Sequence, residues 1–301
     1  MKRKALIMAV LTTILWSGSY ILNKLAFLDG VGPLTLSGLR YFFASLFLLC
    51  IVNHNSKQKS SSTLPLSLLV LLGFLGFAVA QGLQYVGQSY LNPTQSSLFL
   101  SVGNTLMVML FDRLWLRENQ TRGDLLKFLF LIAGISLYYY PWGDSRLSIV
   151  GMIFMLLSSV GYALHMTLIR RIVTAKQIST KTLVAKPMLI GSLFILIAGL
   201  AVEGLPVITS KLVLILAYLS LVSGALGFYL WTWSQKQLTA FESSSINNLM
   251  LIEIALMDFL LFSRTFSMLQ ILTILIVFSS VVLIQRRNAP VKKPVHSNTT
   301  E

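Results

Sequence analysis

Charge is the first thing this sequence is short of. Asp, Glu, Lys and Arg make up 11% of its 301 residues, against about a quarter in an ordinary globular domain. Too little charge is present to cover a soluble surface, so a water-soluble fold is excluded. Cysteine is nearly missing as well: Cys50 stands alone, which removes an intramolecular disulfide and any cysteine-based metal cluster. Of three histidines, His54 and His296 fall in a loop and a tail, so no metal site is expected. No Gly-x-x-x-x-Gly-Lys phosphate loop, His-Glu-x-x-His pair or Gly-x-Ser-x-Gly elbow occurs. An ATP-driven pump is thereby excluded, and the chain is expected not to be an enzyme and to need no cofactor. Met1 to Lys4 precede an apolar run without a small-residue cleavage motif, so that run is expected to stay as a first helix.

What is present is apolar: 55% hydrophobic residues and a mean hydropathy of +0.76. At about 20 residues per membrane span, the chain has room for ten. Apolar runs lie near 5–23, 34–52, 66–87, 93–112, 125–141, 148–169, 183–203, 212–233, 243–262 and 266–285. The breaks carry turn chemistry, as in Asp29-Gly30-Val31-Gly32-Pro33, Leu91-Asn92-Pro93 and Glu203-Gly204-Leu205-Pro206. The serine- and lysine-rich stretch 54–63 reads as a polar loop, and 288–301 as a disordered tail.

The two halves align without a gap at an offset of 146. Lys24 then falls on Arg170, Arg40 on Lys186, and Leu110-x-Asp112-x-Leu114 on Leu256-x-Asp258-x-Leu260. Five spans per half is odd, so the second copy enters the membrane upside down, the construction of many secondary transporters. The expected fold is an all-α integral membrane protein of ten transmembrane helices in two inverted five-helix repeats, 1–146 and 147–287.

The net charge of +14 suggests nucleic acid at first sight. Such a binder gathers its basic residues on one wetted face, whereas here they separate apolar blocks. Sorted by side, nineteen of the 24 Lys and Arg fall on one face of the membrane and four on the other. By the positive-inside rule both termini are cytoplasmic, in the cell (cytoplasmic) membrane.

Several short motifs carry a resemblance. The first span has Leu15-Trp16-Ser17 with Lys24 following; the second has Pro33-Leu34-Thr35-Leu36 and then Leu39-Arg40-Tyr41. Leu116-Arg117-Glu118-Asn119-Gln120-Thr121 and Ala133-Gly134-Ile135 complete the set. In this order and spacing the chain resembles the drug/metabolite transporter superfamily, in its ten-helix EamA-like branch, over residues 5 to about 287. It departs where that pattern commonly has a proline, here Thr105, and where the second half's loop Glu is replaced by Arg264. The resemblance implies transport of small metabolites, with a cavity between the first, third, fourth, sixth, eighth and ninth spans. Amino acids or related amphipathic compounds are the expected substrates and export the expected direction. Protons are the candidate coupling ion, membrane lipids the surroundings, and a monomer or homodimer the assembly.

Polar groups inside spans are costly and therefore informative. Glu253, midway along the ninth span, either binds a proton or an ammonium group, or is a protonated side chain bonded to a neighbouring helix. Arg40 either holds a substrate carboxylate or snorkels its head to the interface, the default for Lys24 and Lys186. His165 reads as a proton relay or a packing residue. Gln81 and Gln84 share a helix face, and with Trp16, Tyr20 and Asn104 they are candidates for the cavity wall. Asn247, Asn248 and Tyr229 join them, against the alternative of interhelical glue and interface belt. Trp231 and Trp233 read as belt. Asp112 and Asp258, equivalent in the repeats, are candidates for gating or ion pairing. Gly73, Gly76 and Gly82 in the third span, and Gly224 and Gly227 in the eighth, permit close helix approach and rocking, as gates or as packing alone. The competing classes are a channel, which would show rings of like charge, and a membrane-embedded enzyme.

Overall fold

The structure, a computed structural model, describes residues 2–54, 64–116, 148–175, 180–235, 249–263 and 265–287, with 129, 133, 134, 137, 238, 246 and 247. Among these residues nine helices follow one another: α1 Lys2–Leu28, α2 Pro33–His54, α3 Leu66–Tyr90, α4 Pro93–Leu116, α5 Ile149–Ala175, α6 Thr180–Val202, α7 from Ser210 to Gln235, α8 Leu249–Phe262 and α9 Met268–Arg287. Six of them, α1, α2, α3, α5, α6 and α7, are long and apolar enough to cross a membrane. The fifth apolar run, 125–141, lies almost wholly outside the described residues, as does the tail 288–301.

The solvent order of a soluble protein is inverted. Ile7, Phe47, Ile153, Ile197 and Leu260 face outward, while Thr13, Ser17, Ser19, Asn23, Arg40 and Gln88 are buried. Lipid accepts the apolar surface and the bundle must satisfy its own polar groups. Many hydroxyls do so within their helix: Thr12 donates to the Met8 carbonyl (2.8 Å) and Ser45 to that of Phe42 (2.7 Å).

The helix ends are closed locally and across the bundle. Gly30, at φ +81, ends α1, and the Val31 amide bonds back to the Ala26 carbonyl at 3.0 Å, the six-to-one bond of a Schellman stop. Asn92 and Gln95 cap each other reciprocally at the start of α4 (2.8 and 3.1 Å). Glu203, after α6, accepts from the Leu34 and Thr35 amides at 2.9 and 2.8 Å. It thus places a carboxylate on the positive N-terminus of α2.

Glycines set the helix spacing. A Cβ on Gly38 would lie 2.7 Å from the Leu196 Cα, and one on Gly199 2.6 Å from the Thr35 amide nitrogen. Backbone meets backbone there, and the pairing of 38 with 196 and 35 with 199 makes α2 and α6 antiparallel. Gly73 lies equally close to the Pro187 carbonyl of α6.

α3 and α7 share an irregularity. Each is α-helical at both ends and π-helical in the middle, over Phe74–Gly82 in α3 and Tyr218–Leu226 in α7. π turns are rare and concentrate at functional sites. Gly76 and Gly82 lie within the first segment; Gly224 lies within the second and Gly227 directly follows it.

Candidate functional site

α1, α2, α3 and α7 enclose a buried polar network. Its centre is Arg40, 5% exposed, whose two terminal nitrogens donate to the Tyr85 hydroxyl and to Ser223 Oγ, the latter at 2.7 Å. Its guanidinium lies 5.0 Å from the Tyr41 ring centre and 5.8 Å from that of Tyr85, within cation–π range. No carboxylate among the described residues pairs with it, and its Nε has no partner. Arg40 is therefore a buried cation held by neutral groups, and the snorkelling geometry is not what the fold adopts.

The network extends from there. Ser223 Oγ meets Ser19 Oγ of α1, and the Ser223 carbonyl accepts from Trp16 Nε1 at 3.0 Å. The Tyr41 hydroxyl donates to Gln81 Oε1 (2.7 Å), Gln84 Nε2 to the Tyr20 hydroxyl (3.3 Å), and Asn23 Nδ2 to Gln88 Oε1 (2.8 Å). Gln81, Gln84, Tyr85 and Gln88 thus form a polar ladder along α3. Trp231, partly buried at the end of its span, packs on Trp16 with ring centres 5.2 Å apart.

Glu253 meets α1 on a neighbouring face. Its carboxyl contacts Thr13 Oγ1 at 2.9 Å and Ser17 Oγ at 2.8 Å, two hydroxyls one helical turn apart and so on one face. A narrow cleft, too tight for a water-sized sphere, opens beside Tyr20, Lys24, Phe27, Gln88, Leu91, Pro93 and Ser96.

The remaining candidates are dispersed. His165 Nδ1 lies 3.1 Å from the Leu72 carbonyl of α3, and its ring fills the space left by Gly76. Asp258, 1% exposed, accepts from the Thr94 amide and hydroxyl (3.3 and 2.6 Å), so it holds the start of α4. Asn104 is partly buried with its Oδ1 unpartnered. Tyr229 is 44% exposed. Asn247 is half-buried just before α8; Asn248 and the Asp112 side chain lie outside the described residues.

Of the residues named from the sequence, Trp16, Tyr20, Arg40, Gln81 and Gln84 come together in the structure. Sequence reasoning misses Thr13, Ser17, Asn23, Tyr41, Tyr85, Gln88 and Ser223. A signal existed for two of them, since Tyr85 and Gln88 continue the face of Gln81 and Gln84. Serines and threonines in a leucine-rich helix give none.

Comparison with known proteins follows the same lines. The sequence model of the EamA-like transporter family matches twice, over residues 3–140 and 149–286, in the register of the 146-residue offset. A protein named uncharacterized transporter YvbV, from Bacillus subtilis (strain 168), is 28% identical over 229 residues, 75% of this chain and 73% of its own. An uncharacterized transporter in the trpA 3' region of Buchnera aphidicola subsp. Schlechtendalia chinensis is 26% identical over 248 residues, covering 80% and 79%. A crystal structure superposes with a TM-score of 0.68 over 94% of this chain and 97% of that one, at 16% identity, a likeness of fold.

Proposed function

Because the chain belongs to the EamA-like transporter family, we propose that this membrane protein is a proton-linked secondary transporter. It exports small amphipathic metabolites, amino acids or related compounds, across the cytoplasmic membrane by alternating access. Both termini face the cytoplasm, and the two family repeats form inverted halves. The antiparallel course of α2 and α6, which correspond at the 146-residue offset, supports the inversion, as does a π-helical segment in the third helix of each repeat.

The observation that carries the proton link is a count of hydrogens at Glu253. Thr13 Oγ1 lies 2.7 Å from the Val10 carbonyl and 2.9 Å from Glu253 Oε1. A hydroxyl has one hydrogen, and a carbonyl accepts only. When that hydrogen goes to Val10, the contact with Glu253 is a bond only if the carboxyl brings its own. Ser17 donates to the other oxygen at 2.8 Å. A neutral Glu253 satisfies the cluster with that hydrogen on Val10, and an ionised one satisfies it with the hydrogen turned to Glu253, so a proton on the carboxyl decides which way the Thr13 hydroxyl points. Gain or loss of the proton thus re-sorts the bonds that join α8 to α1, the helix that also carries Trp16 and Ser19 of the Arg40 network.

Glu253→Gln tests this, because the amide reproduces the donor and acceptor of the neutral carboxyl. In proteoliposomes the variant should lose substrate movement driven by a pH gradient and retain substrate–substrate exchange. Unchanged pH dependence removes Glu253 from the coupling role. Flux that is linear in concentration and only follows the gradient replaces the carrier with a channel-like pore.

A further inference from the structure

The narrow cleft lies where α1 ends and α4 begins, to one side of the Arg40 network. Two side chains in its wall, Gln88 and Ser96, are 4% and 0% exposed, and each has a polar atom with no partner: Gln88 Nε2 and Ser96 Oγ. Their other groups are committed. Asn23 donates to Gln88 Oε1 at 2.8 Å, which leaves the amide's donor end over, and the Ser96 amide bonds to the Asn92 carbonyl at 2.9 Å.

Buried polar groups in native proteins are satisfied with few exceptions, and an exception calls for an explanation. Here two lie together in the wall beside a cation, and behind them Asn23 Oδ1, on the side chain that holds Gln88, is unpartnered as well. Lys24 lines the same cleft, about half-buried. Asp258 acts on its charge through space, but Oδ2 of that carboxylate accepts from the Thr94 amide and hydroxyl. The wall thus offers an ammonium, an amide N–H and a hydroxyl next to the apolar surfaces of Phe27, Leu91 and Pro93. The complement of three donors, one of them charged, is a small anion that only accepts, attached to an apolar body.

We infer that this cleft is the collapsed form of a subsite for the carboxylate of an amphipathic monocarboxylic acid. Lys24 supplies the charge, Gln88 Nε2 and Ser96 Oγ the hydrogen bonds, and Phe27, Leu91 and Pro93 the apolar wall. The acid enters while the helices stand apart and the cleft tightens on it. The assignment rests on the transporter reading and adds to it a substrate class and a place.

The test uses three probes with one apolar body: 3-phenylpropionate, 2-phenylethylamine and 3-phenylpropan-1-ol. Each is titrated into the purified full-length chain in detergent, with binding and the thermal shift followed together. The acid should bind and stabilise, and the amine and the alcohol should not. Lys24→Met and Ser96→Ala should each weaken acid binding by about tenfold or more, the usual effect of losing a hydrogen bond to a charged group, while Lys24→Arg stays within a few-fold. Ser96→Ala removes an unpartnered atom and is expected to fold, which guards against a misfolded Lys24 variant. Equal response to the amine or alcohol, or unchanged acid affinity in both variants, overturns the subsite. Proteoliposome counterflow of 3-phenylpropionate separates the two readings. Binding without counter-gradient movement in the wild type defeats the transporter and leaves the subsite standing. Saturable flux unaltered by Lys24→Met and Ser96→Ala defeats the subsite and leaves the transporter.

Discussion

Gly38→Ala is a one-methyl change whose effect follows from the geometry of two helices. The new Cβ would lie 2.7 Å from the Leu196 Cα and 2.9 Å from the Leu196 nitrogen. Carbon atoms in comfortable contact stand about 3.5–4.0 Å apart, so α2 and α6 must separate by roughly 1 Å at that point. A backbone cannot swing aside as a side chain does. Overpacking of this kind costs about 1–3 kcal/mol, which for a chain of this size lowers the melting temperature by roughly 2–4 °C per kcal/mol. A thermal melt in detergent, read by the monodisperse fraction on gel filtration, should therefore fall by several degrees. The double variant Gly38→Ala/Leu196→Ala should not recover, because the obstructing Cα and nitrogen remain. Gly76→Ala is the contrasting case: the obstacle is the His165 ring, and His165→Ala should restore part of the loss. A Gly38→Ala protein that melts with the wild type, or one rescued by trimming Leu196, refutes the close backbone contact and the helix pairing built on it.

Two further substitutions probe the charged groups. Arg40→Gln removes a buried charge that no carboxylate among the described residues balances. Since isolated buried charge is costly, the variant should melt no lower than the wild type while substrate flux falls by about tenfold or more; a cooperative loss of stability with normal flux would make Arg40 structural. Glu203→Ala leaves the Leu34 and Thr35 amides without their acceptor and should cost about 0.5–2 kcal/mol, the range for lost helix caps. Glu203→Gln should recover part of it in the same melt.

The spans were legible because the bilayer imposes a length and leaves apolar runs in plain view. The run at 34–52 became Pro33–His54, and that at 66–87 became Leu66–Tyr90; the helices continue past the apolar stretch until a cap or turn stops them. Lone charges were legible for the same reason, and Arg40 and Glu253 both proved to be held in polar clusters. Their partners were not. Ser223 reaches Arg40 across 183 positions of sequence and Thr13 reaches Glu253 across 240, and small hydroxyls in such helices more often bond their own backbone, as Thr12 does. Trp231 packs on Trp16, a contact that its place near the end of a span gave no sign of. The glycines of the third and eighth spans pointed to close helix approach, without revealing the π segments they lie in or beside.

The π segment of α3 has a rotational consequence. Relative to an uninterrupted α-helix, one extra residue turns everything beyond it by roughly 100° about the axis. Before its π segment, α3 lays Gly73 on the Pro187 carbonyl of α6; beyond it, Tyr85 and Gln88 reach Arg40 of α2 and Asn23 of α1. One continuous rod thus presents different faces at its two ends, as a crankshaft does. The counterpart segment in α7 makes a second crank. Any slip of either π segment by a residue would twist one end of its helix against the other without breaking the rod between them.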